Sequence, residues 1–294
     1  MNDLLRRYGP VLSILFAALT AFWLLALVVL PDLYLFENSF RPYLPISEVG
    51  GPKDFYSFDN YLTFFHSPIH IQVFVWTIVY STVVTVLCFV IAYPLAYYLS
   101  KVARSNLLPT LFLLILVPLW VSEVLRSFAW FIILALKGPL NILLLGIGVI
   151  DQPIRWLTGF RGVIIGLVYT YVLFMLFPLY NAIQSLDTNQ IEAAEDLGSP
   201  WWRTHWRVIL PHAKPGIASG SVMVFMLSAG SILVPTLLAS TSSRWFTEII
   251  QQWMFESQDW NTGSAYAFML LLLCTIFVSV VMRLFRVKLS DIAK

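Results

Sequence analysis

Six apolar runs, each long enough to cross a lipid bilayer as a helix, restrict this chain to one kind of fold. They cover residues 8–31, 71–100, 105–136, 162–186, 215–243 and 260–282, and all are free of charge except the third, which is so up to residue 122. A hydrocarbon layer of about 30 Å takes about 20 helical residues to cross. Within it an unpaired backbone N–H or C=O is so costly that only helices and closed barrels span it. The 294 residues are 59% hydrophobic and 12% charged, an apolar content that no single water-soluble core of this size needs. The expected fold is an all-α integral membrane protein of one domain, residues 1–294, with six transmembrane helices. A seventh apolar run, 138–150, holds Gly138, Pro139, Gly146 and Gly148. It reaches only about 20 Å as a helix, which suits an interfacial or re-entrant piece.

The side on which each loop lies follows from Lys and Arg, because short positive loops stay in the cytoplasm. With the N-terminus inside, the cytoplasmic segments hold Arg6, Arg7, Lys101, Arg104, Arg203, Arg207, Lys214, Arg283, Arg286, Lys288 and Lys294. Outside lie Arg41, Lys53, Lys137, Arg155, Arg161 and Arg244. The excess puts both termini in the cytoplasm. Loop 137–161 runs against the rule, with three basic residues against Asp151, and suits contact with lipid headgroups or a partner. The external loop 32–70, with five acids, two bases and frequent Pro and Gly, is expected to be soluble, irregular and open to an external partner. Arg6 and Arg7 precede an apolar stretch in the manner of a secretory signal. That stretch is too long and no small-residue cleavage site follows, so it reads as a retained first span. Cys88 and Cys274 fall within spans and act there as small apolar side chains. The net charge of +2, spread over membrane flanks, gives nucleic acid nothing to bind.

Between the fourth and fifth spans, residues 187–214 form a hook where a few residues would suffice. Asp187 or Thr188 can cap a helix over about 189–196, with Gly198 where a left-handed residue ends it. Ser199 as cap and Pro200 in the first helical position start a second short helix through Trp201, Trp202 and Thr204 towards Trp206. Ala193 and Ala194 leave one surface thin enough to enter a groove. The plain alternative is an amphipathic pair resting on the membrane, with Arg203, Arg207 and the tryptophans among the headgroups. His205 and His212 serve the hook structurally. Pro94, Pro118, Pro178 and Pro235 lie inside spans and bend them.

Glu192, Ala193, Ala194, Asp196, Leu197, Gly198, Trp202, Val208, Leu210 and Pro211 resemble the EAA loop of bacterial ABC-importer permeases. In that family the loop lies between the fourth and fifth of six spans and supplies a coupling helix that docks into the ATP-hydrolysing subunit. The resemblance implies that Glu192 anchors the hook, that Ala193, Ala194 and Gly198 shape it, and that Trp201 and Trp202 meet the ATPase or lipid. A second stretch, Val117 to Asn141, with Ser122, Glu123, Leu125, Arg126, Ser127, Ala129, Trp130, Gly138, Leu140 and Asn141, is similar to the third-span signature of spermidine/putrescine-type permeases. The pattern departs from many relatives at Gly230 to Ser240. The implied assembly has a second, related permease, two ATPases that bind ATP and magnesium, and a periplasmic solute-binding protein, all in the bacterial inner membrane or against it. This chain holds no cofactor.

Glu123 and Arg126 stand three apart on one helical face and can pair. On a helix begun near Leu107, Glu123 rises about 24 Å, to the outer edge of the hydrocarbon. It serves there either in an interfacial ion pair or as a carboxylate that draws an amine past Trp120 and Trp130. Tyr169, Tyr171, Ser228 and Ser231 offer polar contacts in the fourth and fifth spans, or simply pack them. His66 and His70 have the four-residue spacing of a metal pair, but Pro68 lies between them and no third ligand is evident. No Gly-rich loop ending in Gly-Lys-Ser/Thr occurs, so the chain does not cradle ATP in that way. The expected function is a permease subunit of an ABC importer for a polyamine. The alternatives are an importer of another small organic solute, such as an amino-acid-like compound, opine or organophosphonate, or an ATP-independent secondary transporter. No cluster of acid, base and nucleophile suggests an enzyme.

Overall fold

The computed structural model describes residues 2–48, 50–240 and 243–287, and among them every regular element is helical. Helices α1 (Asn2–Leu24) and α2 (Leu30–Ser39) are joined by a π-helical turn at Leu25–Val29. Then follow α3 (Asp59–His66), α4 (Pro68–Tyr97), α5 (Leu108–Trp120), α6 (Glu123–Ile133), α7 (Pro139–Gly146) and α8 (Arg161–Gln184). The hook holds α9 (Thr188–Asp196), α10 (Trp201–Thr204) and α11 (Leu210–His212). The chain ends in α12 (Lys214–Ala229), α13 (Leu233–Leu238), α14 (Phe246–Gln251) and α15 (Trp260–Phe285). Lys288 and Lys294, counted above on the cytoplasmic side, lie outside the described residues.

Four of these stretches are long and apolar enough to cross a membrane: Ile14–Ser39, Pro68–Val102, Arg161–Gln184 and Trp260–Phe285. The other two apolar runs are broken. Leu108–Trp120 and Glu123–Ile133 meet at 90°, because Val121 and Ser122 take extended backbone. The rise of about 24 Å expected for Glu123 on a straight helix therefore does not apply. The run 215–243 divides into α12 and the short α13, with Gly230 to Ile232 between them. The first helix also continues past residue 31 to Ser39: Pro31 falls in the first turn of α2, where its missing N–H costs nothing. Residues 32–39, expected in an irregular external loop, are thus helical. α7, at 8 residues, is far too short to span.

The chain divides into two compact units, one running up to Pro68 and including Ile250–Met269, the other holding Ile69–Ile249 and the chain from Leu270 onward. In the first unit, buried Asn60 donates to the carbonyls of Ser39 (2.9 Å) and Arg41 (2.8 Å). Asn261 donates to Asn38 O at 3.2 Å, and Phe64 meets Tyr266 edge-on at 5.7 Å. Arg41 bridges Glu37 (2.5 Å) and Asp54 (3.1 Å), which closes loop 40–58 on the end of α2.

In the second unit α4 buries Val84, Cys88, Ala92 and Ala96, one residue per helical turn, in the same core cluster as the α8 residues Leu167, Leu176, Leu179 and Ile183, and Cys88 Sγ lies 3.8 Å from Val168 O. α8 packs most extensively against α12. A Cβ placed on Gly216 would lie 2.5 Å from Pro178 O, which is backbone, so glycine alone permits the contact there, and one on Gly220 would press on Met175 Sδ at 2.7 Å. Pro178 and Gly216 thus meet where a helix that carries a proline is received by a bare stretch of its neighbour. The many exposed Leu, Val and Phe side chains, such as Val90 and Leu114, form the surface expected of helices solvated by lipid.

Candidate coupling hook and translocation site

The hook is built by caps. Asp187 Oδ1 accepts from Asn189 N–H at 3.0 Å and starts α9, as expected of the Asp187 or Thr188 pair. At the other end Gly198 N–H donates to Glu195 O (2.8 Å) and Ser199 N–H to Ala194 O (3.0 Å), with Gly198 at φ +72°. This is the paired closure that a left-handed residue allows. A Cβ on Gly198 would meet nothing within 4 Å, so the demand for glycine comes from the backbone angle and not from space. Pro200, not Ser199, caps α10, whose first residue is Trp201. Glu192, Ala193, Asp196, Leu197, Gly198, Trp201 and Trp202 are exposed and Ala194 is half-buried. Leu197 stands 89% exposed at the tip, an apolar knuckle that nothing in this chain covers among the described residues.

Beneath the knuckle the hook is held rigidly. Ile191 and Ile209 are buried with Leu99 and Leu186. Lys101 Nζ donates to Leu186 O (2.5 Å) and Gln184 O (3.4 Å), closing the carbonyl end of α8. His212 Nε2 meets Ser185 Oγ at 3.0 Å. His205 Nδ1 pairs with Tyr93 Oη at 2.6 Å, and its ring lies against Tyr97 (4.6 Å between centroids) and Trp201 (4.8 Å). The sequence places His205 near the hook but carries no sign of Tyr93 and Tyr97, 112 and 108 positions away by number, as its partners.

Burial pushes the His205 pKa below the usual histidine range. The unfolded chain then takes up the proton first, so the stability is present above about pH 6.5 and is lost as pH falls through that value. We expect the assembled protein to melt at a lower temperature at about pH 5.5 than at about pH 7, and His205→Phe to flatten that difference. An equal fall in both proteins would remove His205 from the account.

The second site lies at the breaks in the apolar runs. Because the chain bends after Trp120, Glu123 becomes the first residue of α6, where the positive end of the helix favours its carboxylate. Tyr171 of α8 donates its hydroxyl to Glu123 Oε1 at 3.1 Å. Ser231, in the break after α12, lies beside the same phenol and is 5% exposed. Arg126 does not pair with Glu123; its Nε is buried without a hydrogen-bond partner, as is Ser231 Oγ. Three parts of the chain thus bring a carboxylate, a phenol and a hydroxyl together, with an arginine near them. Trp130 packs edge-on to Tyr169 at 5.3 Å, whereas Trp120 is 78% exposed at the bend. Ser228 is fully buried, its hydroxyl 3.4 Å from Ser81 Oγ and its carbonyl accepting from Trp245 Nε1 at 3.0 Å.

The segment that clasps this break is silent in the sequence. Thr247 Oγ1 donates to Ser231 O at 2.6 Å, and Glu248 accepts from Trp245 N–H at 2.6 Å. Burial raises the Glu248 pKa, which that N–H and Arg244 pull back down. An acid three residues after an aromatic is the only available signal, and it is a weak one. Among the described residues no group of three His, Cys, Asp or Glu side chains is placed to hold a metal ion.

Among the described residues the exposed hook and the polar cluster at the helix breaks are thus two separate features of a helical chain with several membrane-soluble stretches. The chain belongs to the family described as binding-protein-dependent transport system inner membrane component, which it matches over residues 88–290. It is a multi-pass inner-membrane permease subunit of an ABC importer and not an enzyme. It is 33% identical over 274 residues to the spermidine/putrescine transport system permease protein PotB of Salmonella typhimurium, covering 92% of this chain and 94% of that protein. It is equally identical over 243 residues to PotB of Escherichia coli K12, covering 83% and 86%. The fold is similar to that of a bacterial alginate ABC transporter in complex with its alginate pentasaccharide-bound periplasmic protein, with TM-score 0.75, 19% identity and coverage of 98% and 99%. It is also similar to the inward-facing MetNI methionine ABC transporter, with TM-score 0.56, 18% identity and coverage of 74% and 94%.

Proposed function

We propose that the chain acts as one transmembrane permease domain for a polyamine of the spermidine or putrescine kind. The observation that carries this reading is the 33% identity to PotB proteins over nearly the whole chain. A carboxylate held at a helix break beside the Tyr171 ring supports it, since such a site attracts an ammonium group by charge and by cation–π contact. The six spans are α1 with α2, α4, the bent pair α5 and α6, α8, α12 with α13, and α15, and both termini lie in the cytoplasm. The partners are a second, related permease, two ATPases that bind ATP and magnesium, and a periplasmic solute-binding protein. The ATPases grip the knuckle formed by Glu192, Ala193, Ala194, Asp196, Leu197 and Gly198, with Trp201 and Trp202 at its base. ATP-driven closure moves the hook, turns the spans and opens the path lined by Trp120, Glu123, Arg126, Trp130, Tyr169, Ser228 and Ser231.

Reconstitution with these partners in proteoliposomes tests the reading. ATP-dependent uptake of labelled putrescine or spermidine is expected. Uptake without ATP would point to a secondary transporter, and uptake of an amino acid or organophosphonate instead would move the substrate class. Glu123→Gln keeps the Tyr171 contact but removes the charge. It is expected to lower polyamine uptake about tenfold or more, the worth of one charged hydrogen bond, while binding-protein-stimulated ATP hydrolysis persists. Unchanged uptake would take Glu123 off the path.

A further inference from the structure

The loop that breaks the charge rule, 137–161, is pinned. Asn141 in α7, 1% exposed, accepts on Oδ1 from Ile154 N–H (3.1 Å) and Trp156 Nε1 (3.0 Å). Its Nδ2 donates to the carbonyls of Ile154 (2.9 Å) and Leu136 (3.1 Å). Exposed Arg155 therefore stands between two anchored residues. Four positions later Gly159, at φ +71°, donates its N–H to Ser240 Oγ at 3.1 Å and turns the chain into α8, whose first residue is Arg161. Arg155 and Arg161 both line an open cavity of about 520 Å³ together with Tyr80, Phe160 and Ile164. Neither arginine has an ion-pair partner among the described residues.

The rest of the cavity is of another character. Tyr80 stacks on Phe160 at 3.8 Å, Trp76 meets Phe160 edge-on at 5.2 Å, and Ile164 begins the apolar face of α8. Depth joins the two halves. The 24 residues of α8 rise about 36 Å, a little more than the hydrocarbon thickness, so its first residue lies among the headgroups and Ile164 lies deeper. Arginine forks match phosphate oxygens in geometry and charge, and aromatic rings collect at this level of a bilayer.

We propose that this cavity binds an anionic phospholipid, with its phosphate between Arg155 and Arg161 and its glycerol and upper acyl chain against Phe160 and Ile164. An acidic protein surface would satisfy the arginines but would leave the apolar wall that descends along α8 without a role. The inference uses no feature of the substrate site and stands whatever the solute is.

The test uses the assembled transporter in nanodiscs of palmitoyl-oleoyl phosphatidylcholine doped with the corresponding phosphatidylglycerol, with retained lipid counted by native mass spectrometry. Retention of phosphatidylglycerol over phosphatidylcholine is expected. It should fall roughly fivefold for each arginine replaced in Arg155→Gln and Arg161→Gln, the worth of one basic side chain at an anionic surface. The double lysine variant should keep most of it. Both arginines are exposed, so melting temperatures should match the parent and separate lost binding from lost folding. Equal retention in the doubly substituted protein overturns the proposal. So does full displacement by inorganic phosphate, which would make this a site for the free ion, or a loss of binding-protein affinity on substituting the two arginines in pure phosphatidylcholine discs, which would give them to a protein surface.

Discussion

Gly198→Pro is expected to reduce ATP-driven uptake to background while the chain still inserts and assembles in the membrane. Gly198 sits at φ +72°, and proline holds φ near −65°, so the substituted residue cannot occupy the observed turn. It also removes the N–H that closes α9 on Glu195 O. The combined cost of about 3 kcal/mol or more falls on a short surface helix and not on the core, because no atom lies within 4 Å of a Cβ at this site. α9 would unwind at its end and Leu197 would lose its fixed position. Gly198→Asn, which tolerates left-handed backbone, should retain much of the uptake. Glu192→Lys reverses the charge of an exposed knuckle residue without touching the fold, and it too is expected to abolish uptake. Measurement of solute uptake and ATP hydrolysis in proteoliposomes decides the matter. Normal uptake in both Gly198→Pro and Glu192→Lys would mean that the hook does not transmit the drive.

The second large effect is expected from Gly216→Val. Its Cβ would stand 2.5 Å from Pro178 O and 2.6 Å from Ala182 Cβ, and the first of these is backbone that cannot rotate aside. Overpacking of this kind costs typically 1 to about 3 kcal/mol, and a backbone clash belongs at the upper end. α8 and α12 would part, and with them Tyr171 and Ser231, which meet only because these helices pack closely. The purified protein should melt many degrees lower or fail to accumulate. Gly146→Val is the matched control, since nothing lies within 4 Å of a Cβ there. Similar yield and melting temperature for the two variants would refute the close-packing account of this helix pair.

The hook was the most legible part of the site, because its signals are local. Asp187 as a cap, Gly198 as a stop and the Ala193–Ala194 pair lie within 12 residues of one another, and each acts through the backbone beside it. The polar cluster at the helix breaks was legible only as a list of polar side chains in apolar runs. Tyr171 reaches Glu123 across 48 positions and Tyr93 reaches His205 across 112, and nothing in residue type or spacing names such partners. The apparent pairing of Glu123 with Arg126 failed for a related reason. Spacing of three residues brings side chains near on a helix surface, but a nearby phenol from α8 took the carboxylate instead.

The breaks show the same division. Apolar runs report solubility in lipid, and a bent helix is as soluble as a straight one, so the 90° turn at Val121 and Ser122 and the gap after Ala229 left no mark on hydropathy. The sequence by itself determined the approximate place of the apolar runs and the cap and stop of the first hook helix, since both follow from hydration and from backbone angles within a few residues. Tertiary structure alone decided how sharply those runs bend, which polar groups share a site and how the hook is anchored. These depend on which helices pack together, and packing is settled by shape and by hydrogen-bond partners brought from far along the chain.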